Sequence, residues 1–368
     1  MIETTIIAPE EAARRDAFVR RLFQAFIEGG NLVTIYVGDR LGLYQALAEL
    51  GSVTPGELAA QAGTHERYTR EWLEHQAVAG IIEVEDAQAE ASARRYHISP
   101  GHAEVLLAPD SLNYLTPLAR MTVGGAQSMP ALLEAFQTGG GVPYTDYGAD
   151  LRESQAALAR SMYRNLLGNV WLPAIPDVHA RLQADPPARV ADIACGYGWS
   201  SLALALAYPR AHVDGFDSDE DSIVAAKTAA AELGLANRVS FAVHDATDPG
   251  LVGTYDLVIV CNSIHDMARP VEALQVMRGL VVAGGTVIAI EPRAPETFSA
   301  PSDPFDQMHY LGSVLFCLPT GMAEQPSAAT GQVMRPATLR RYAMEAGFRR
   351  IEIPPIEHPH MRMYRLFP

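Results

Sequence analysis

The sequence holds 368 residues, 48 % of them hydrophobic, with 43 acids against 28 Lys and Arg and a formal net charge of -15. Its length suits two domains, and the acidic excess keeps the protein dissolved and argues against general binding to nucleic acid. No run of about 18 apolar residues offers a membrane span. Cys195, Cys261 and Cys317 fit neither a disulfide framework nor a metal-ligand spacing, so reduced, buried thiols in a cytoplasmic protein are expected, with no metal.

The opening stretch, MIETTIIAPEEAARRDAF, is acidic and helical in pattern, without the apolar core and cleavage site of a signal peptide. Residues 18–47 repeat apolar positions at helical spacing, with breaks expected at Gly29-Gly30 and at Gly38. Thr54, Pro55 and Glu57 read as a helix start: a capping hydroxyl, a proline at the first helical position and an acid in the first turn. A second helix, HERYTREWLEHQAVAG, runs to Gly80. IIEVED and ARRYHIS then form a hairpin. Helix, turn, helix and a two-stranded wing make a winged helix.

A winged helix that reads DNA lays its second helix in the major groove. Here Glu66, Glu71 and Glu74 accompany Arg67 and Arg70, and the wing carries Glu83, Glu85, Asp86 and Glu90. Such a surface repels phosphates. Residues 1–140 are therefore expected to be a dimerisation and lid domain, giving a homodimer, rather than the reading head of a transcription regulator.

The Gly-rich connection TGGGVPYTDYGAD at 138–150 leads into linker helices over 141–185. From Arg189 short apolar strands alternate with helices: VADIA, SLALALAYP, HVDGFD, SIVAAKTAAAELGL, VSFAVHD, YDLVIVCN, PVEALQVMRGLV, GGTVIAIEP. That rhythm predicts an α/β fold over 186–368, a Rossmann-like, mostly parallel sheet with helices on both faces, preceded by the mainly helical winged-helix domain.

Ligands of such sheets bind outside the carboxyl ends of the strands, where the chain order switches. The first strand ends in CGYGWSS, where Gly196 and Gly198 let the backbone turn sharply and approach a ligand. The glycines alone do not choose between a nicotinamide cofactor and another ligand. Asp192, at the end of the same strand, is a poor neighbour for a pyrophosphate and suits a ligand with an ammonium group and no phosphate. S-adenosylmethionine is such a ligand; a plain helix-capping acid is the alternative. Asp217 ends the second strand, where an acid accepts from ribose hydroxyls. Asp245 closes the third, followed by Ala246, a place for the amino group and ring of adenine.

VADIACGYG, VDGFDSDED, VHDAT, YDLVIVCNSIHD and GGTVIAIEP resemble the successive motifs of class I S-adenosylmethionine-dependent methyltransferases. With a winged-helix domain in front, the chain resembles the plant caffeate-type O-methyltransferases and related bacterial small-molecule methyltransferases. The resemblance is close over 186–294 and architectural over 10–140. It implies that Asp192, Ala194, Gly196 and Gly198 cradle the methionine part of S-adenosylmethionine. Asp217 and Ser218 would hold the ribose, Asp245 and Ala246 the adenine, and Asn262 would line the pocket beside the methyl donor. Ala194 stands where the family has its first glycine.

The resemblance also implies a histidine base at His265, in NSIHDMARP, and imidazole chemistry suits removal of a hydroxyl proton near neutral pH. Asp266 is poorly placed to orient a ring next to it in sequence, which leaves a more distant acid such as Glu291. Residues 295–335, rich in Met, Phe, Tyr and Pro, are expected to wall the acceptor, with 320–331 a mobile loop. His309, Tyr163 and Trp171 are candidate acceptor contacts. His358 and His360 are expected on one face of a final strand, without the carboxylates a metal site needs. The expected activity is methylation of a small apolar or aromatic metabolite, foremost on oxygen. Methylation of nitrogen or carbon, and non-methylating use of the same cofactor, remain open at this point.

Overall fold

The computed structural model describes residues 8–368; the first seven residues of the expected N-terminal helical stretch lie outside them. The chain forms two compact units that divide at Val123 and Gly124.

In the first unit, α1 (Pro9–Arg40) is one unbroken helix. The expected breaks at Gly29-Gly30 and Gly38 are absent, since a glycine inside a long helix costs only about 1 kcal/mol. Gly38 has a packing reason to be there: a Cβ would stand 2.4 Å from the Trp72 ring and 2.6 Å from Tyr44. The winged-helix order follows as α2 (Leu43–Leu50), α3 (Pro55–Ala62) and α4 (Glu66–Val78), with β1 (Glu83–Val84) paired antiparallel to β2 (Tyr96–His97). The Thr54 hydroxyl and the Glu57 carboxylate close a reciprocal cap at the start of α3. Leu43, Leu47, Leu58, Trp72, Leu73 and Tyr96 make the core. On α4, Arg67 pairs with Glu71, and Arg70 lies 3.5 Å from Glu66. Next come α5 (Pro100–Leu107) and α6 (Thr116–Gln127).

The second unit continues with α7 (Met129–Thr138), α8 (Gly148–Met162), nine residues of π-helix over Tyr163–Trp171, and α9 (Pro176–Gln183). The sheet unit then alternates: β3 (Arg189–Ile193), α10 (Trp199–Ala207), β4 (His212–Asp217), α11 (Glu220–Glu232), β5 (Val239–Val243), β6 (Tyr255–Cys261), α12 (Pro270–Leu280), β7 (Val281–Pro292). After β7 come α13 (Pro304–Gly312), a π-helical turn over Ser313–Cys317, α14 (Leu318–Met322), α15 (Pro336–Glu345), β8 (Arg350–Glu352) and β9 (Met361–Phe367).

Among the described residues the sheet has seven strands in the order β5-β4-β3-β6-β7-β9-β8. The first five run parallel, and β9 lies antiparallel to both β7 and β8. Apolar layers cover its two faces, one with Trp171, Leu202 and Ile259, the other with Ile193, Val258 and Leu274. The chain walks outward from β3 to β5, then returns to add β6 on the other side of β3. A crevice therefore opens at the carboxyl ends of β3 and β6.

His358 and His360 precede β9 instead of lying on it. Pro359 separates them, and a proline has no N–H to give to a ladder. Their rings sit 4.5 Å apart.

Candidate active site

The loop after β3 makes the floor of that crevice. Its backbone is left-handed at Ala194 (φ 54°), Gly196 (φ 52°) and Gly198 (φ 75°). A Cβ at Gly196 would meet nothing within 4 Å, whereas one at Gly198 would press within 2.5 Å of the Phe241 ring. Gly196 is thus open towards the cavity, and Gly198 is tucked against β5. Asn262, at the end of β6, is also left-handed (φ 57°).

Above the loop lies a cavity of about 750 Å³, within the usual size for a small-molecule site. Ala194, Gly196, Asp217, Ser218, Asp245, Ala246, Asn262 and Tyr163 all line it. The Asp217 carboxylate accepts from the backbone N–H of Gly196 at 2.7 Å and of Asp219 at 2.9 Å, so it braces two loops at once. Burial pushes its pKa up, against the pull of those bonds. Asp245 accepts at one oxygen from the N–H and the hydroxyl of Thr247, both at 2.6 Å.

Asp192 is placed differently. It is fully buried, does not line the cavity, and accepts from the hydroxyls of Ser200 and Ser201, each at 2.6 Å. These serines open α10, so the carboxylate ties the first turn of that helix to the end of β3. Burial raises its pKa to about 6, opposed by the two serine bonds. Its Oδ1 has no hydrogen-bond partner among the described residues.

The rim is acidic. Asp217, Asp219, Glu220, Asp221 and Asp245 face the cavity with Arg152 and Arg269. Both arginines are engaged: Arg152 donates to Asp219 at 3.1 Å and to Asp221 at 3.2 Å, and Arg269 to Glu272 at 3.1 Å. A pyrophosphate would meet carboxylates where it needs cations. A nucleoside carrying positive charge would not, so the cavity fits S-adenosylmethionine and disfavours a nicotinamide dinucleotide.

On the other side of β3, the short turn after β6 brings His265 under the cavity wall. Glu291, at the end of β7, receives the backbone N–H of Ser263 at 3.2 Å and of Ile264 at 2.9 Å, and its second oxygen lies 2.5 Å from His265 Nδ1. A carboxylate only accepts, so Nδ1 carries a proton and donates it to Glu291. The orienting acid is Glu291, as the sequence suggested. Asp266 Oδ1 stands 3.3 Å from Nε2. His265 itself is fully buried, and it is Asp266 that lines the cavity. Burial pushes the imidazole pKa down, but Asp266 and Glu291 pull it up further, and the net direction is upward.

Of the other candidates, Trp171 and His309 are buried away from the cavity, Trp171 edge-on to His358 at 5.3 Å. The 320–331 segment is tied down by bonds from Ala328 N–H to Ala268 O at 2.8 Å and from Gly331 N–H to His265 O at 3.1 Å. The sequence reading missed Tyr144, Arg152, Tyr197 and Cys317. The first three line the cavity, and Cys317 touches the His265 turn.

Residues 184–319 match the family model of a methyltransferase domain, and residues 30–107 that of an Rv2258c-like winged HTH domain. Trans-aconitate 2-methyltransferase of Streptomyces avermitilis is 27% identical over 34% of this chain and 46% of its own length. Ajmaline N-methyltransferase of Rauvolfia serpentina is 30% identical over 28% and 36% respectively. The chain thus spans less than half the length of these curated relatives. Among solved structures, mitomycin 7-O-methyltransferase MmcR superimposes with a TM-score of 0.69 at 17% identity, covering 97% of this chain and 99% of that one. Human N-acetylserotonin methyltransferase, solved with S-adenosylmethionine, gives 0.66 at 17% over 95% and 97%. The fold is shared over 95–97% of this chain.

Proposed function

Starting from a chain that carries a methyltransferase domain behind a winged helix-turn-helix domain, we propose that the protein methylates a hydroxyl group of a small molecule with S-adenosylmethionine as donor. The observation that carries this reading is the acidic crevice at the ends of β3, β4 and β6 with the His265–Glu291 pair buried beside it.

When bound, S-adenosylmethionine supplies a methyl group on a positively charged sulfur, open to attack by an oxygen. Gly196, Asp217 and Ser218 would hold its amino-acid and ribose parts, and Asp245 and Ala246 its adenine. His244, edge-on to Phe216 at 5.8 Å, also lines that end of the cavity. Asp192 acts one layer below, fixing the start of α10 and with it the loop that carries Gly196. Its role is one of positioning.

His265 Nε2 takes the proton of the acceptor hydroxyl, which approaches past Asp266. The Nδ1–H bond to Glu291 fixes the tautomer and stabilises the imidazolium that results. This favours oxygen over an amine acceptor, since a neutral amine brings its own lone pair. Tyr144, Tyr163, Tyr197 and Trp199 line the cavity, which supports an apolar or aromatic acceptor.

The first unit fits a dimerisation role. Phe18, Leu22, Phe26, Val33 and Val37 form an exposed apolar row along α1, and a second copy of the same helix is its natural cover. The paired arginines of α4 leave little free positive charge for DNA. No described helix is long and apolar enough to cross a membrane, and three free, buried cysteines suit a reducing, cytoplasmic setting. A particle of about twice 39.8 kDa in sedimentation, halved by Phe26→Glu, is expected. A wild-type monomer at high concentration would refute the dimer.

The test of the main reading is calorimetric titration with S-adenosylmethionine, S-adenosylhomocysteine and NADH, on the native protein and on Asp217→Ala. Binding of the two sulfur ligands alone, lost in the variant, is the expected result. Failure of both to bind would overturn it.

A further inference from the structure

Cys317 ends the π-helical turn after α13, and that turn carries it to the residues that follow β6. The possible ligand atoms of His265, Asp266 and Cys317 all lie within 4.8 Å of one another. His265 Nε2 and Asp266 Oδ1 are 3.3 Å apart, and both are buried without a hydrogen-bond partner among the described residues. Buried polar atoms left in that state are uncommon and call for an explanation.

We propose that His265 Nε2, Asp266 Oδ1 and Cys317 Sγ form a binding site for one soft divalent cation of the Zn²⁺ type. The donor set is one imidazole, one carboxylate and one thiol, a combination that suits zinc and excludes calcium or magnesium, which need mostly oxygen. Glu291 takes the Nδ1–H of His265 at 2.5 Å, the carboxylate–histidine arrangement that aims Nε2 at a metal and raises its basicity. In the metal-free protein the Cys317 thiol donates to Gln332 Oε1 at 3.7 Å, a bond it gives up on ionising to ligate. Asp266 and Cys317 also border a void of about 10 Å³, close to the smallest space that takes one water, which leaves a place for a fourth ligand.

Bond lengths of about 2.0–2.3 Å put tetrahedral ligands about 3.3–3.8 Å apart. Closing from 4.8 Å requires only a small side-chain movement.

A consequence follows for turnover, resting on the base assigned to His265 above: an Nε2 held by a metal cannot accept a proton, so the ion inhibits methyl transfer. Binding itself does not depend on that assignment.

The test is titration of the purified full chain with Co²⁺, followed by absorption. One ion per chain is expected, with a thiolate-to-cobalt charge-transfer band that Zn²⁺ displaces. The band should vanish in Cys317→Ser and persist in Cys195→Ser, and Asp266→Asn should weaken binding at least tenfold with the band retained. Absence of the band in the native chain at excess Co²⁺ overturns the proposal whatever the variants do. So does a band that survives in Cys317→Ser. Calorimetry with S-adenosylmethionine reads the other proposal separately, since neither result changes the expected binding at Asp217.

Discussion

On one side of the β3–β6 switch point, Asp217 and Asp245 stand at strand ends, in a cavity wall, with their oxygens held by backbone N–H groups and a threonine. On the other side Glu291 is fully buried and spends its oxygens on two backbone N–H groups and an imidazole. The same functional group serves two purposes. The wall acids face the cavity with lone pairs to spare, while the buried acid faces no cavity and fixes the direction of another side chain. Environment sets the role, as it does for paired carboxylates in enzymes generally.

The sharpest way to break this contrast is Glu291→Gln. Its amide has one oxygen where the carboxylate used two, so an NH2 must face either the Nδ1–H or the backbone N–H groups of Ser263 and Ile264, and the charge that stabilises the imidazolium is gone. Turnover should fall about 10²–10⁴-fold, the range for loss of general-base function, with cofactor affinity nearly unchanged. His265→Ala should behave alike. Glu291→Ala should also lower stability by about 3–5 kcal/mol, because it strands a buried partner. Equal loss of cofactor binding and turnover in Glu291→Gln would mean that this acid shapes the cavity instead.

Asp192 shares the burial of Glu291 without its imidazole partner, and pH exposes the difference. Its folded pKa, about 6 against the ordinary 3.8, means that the folded state binds the proton more tightly than the unfolded one. Well below pH 3.8 the group is protonated in both states and costs nothing. As pH rises towards 6 the folded state must ionise it in a buried site, and stability falls. The full cost at neutral pH is about 3 kcal/mol, at 1.36 kcal/mol per pH unit. Asp192→Asn removes it. The variant's stability relative to wild type should therefore rise between pH 4 and pH 7 in chemical denaturation, and a flat difference would refute the buried-charge account.

These wall and floor residues were not equally legible. Gly196, Asp217 and Asp245 could be placed at the cavity because each follows a short apolar run at the end of a parallel strand. The family resemblance pointed to His265, and the poor geometry of its neighbour Asp266 pointed to Glu291. Cys317 could not, because it arrives from a π-helical turn after β7 that no spacing rule announces. Tyr144 and Arg152 precede the sheet altogether, and only tertiary packing brings them over the cavity. The misplaced breaks in α1 came from reading glycine as a breaker where a helix long enough absorbs it. At Gly38 the missing side chain is what admits Trp72.

The two wall acids differ from each other in a smaller way. Asp217 uses both oxygens on backbone donors, so Asp217→Asn must turn an amide N–H towards one of them. Cofactor affinity should drop about 10–100-fold, or 1.4–2.8 kcal/mol. Asp245 uses only Oδ1, for Thr247, and an asparagine keeps that acceptor. Asp245→Asn should cost less than about fivefold. Calorimetry on both variants decides it, and the reverse order would put the nucleoside the other way round.

The smallest effect lies in the floor itself. Ala194 adopts φ 54°, a left-handed conformation that costs an alanine about 1–2 kcal/mol. Glycine removes that strain but frees the unfolded chain by about 0.4–1 kcal/mol, so Ala194→Gly should gain about 0.5 kcal/mol and raise Tm by about 1 °C or less. The bond from the Ser263 hydroxyl to Ala194 O involves only backbone at this position and should survive. A fall in Tm would mean that the methyl group is held by contacts worth more than the strain it imposes. The alanine would then be a packing choice of this loop, and the cavity floor would be stiffer than a glycine turn.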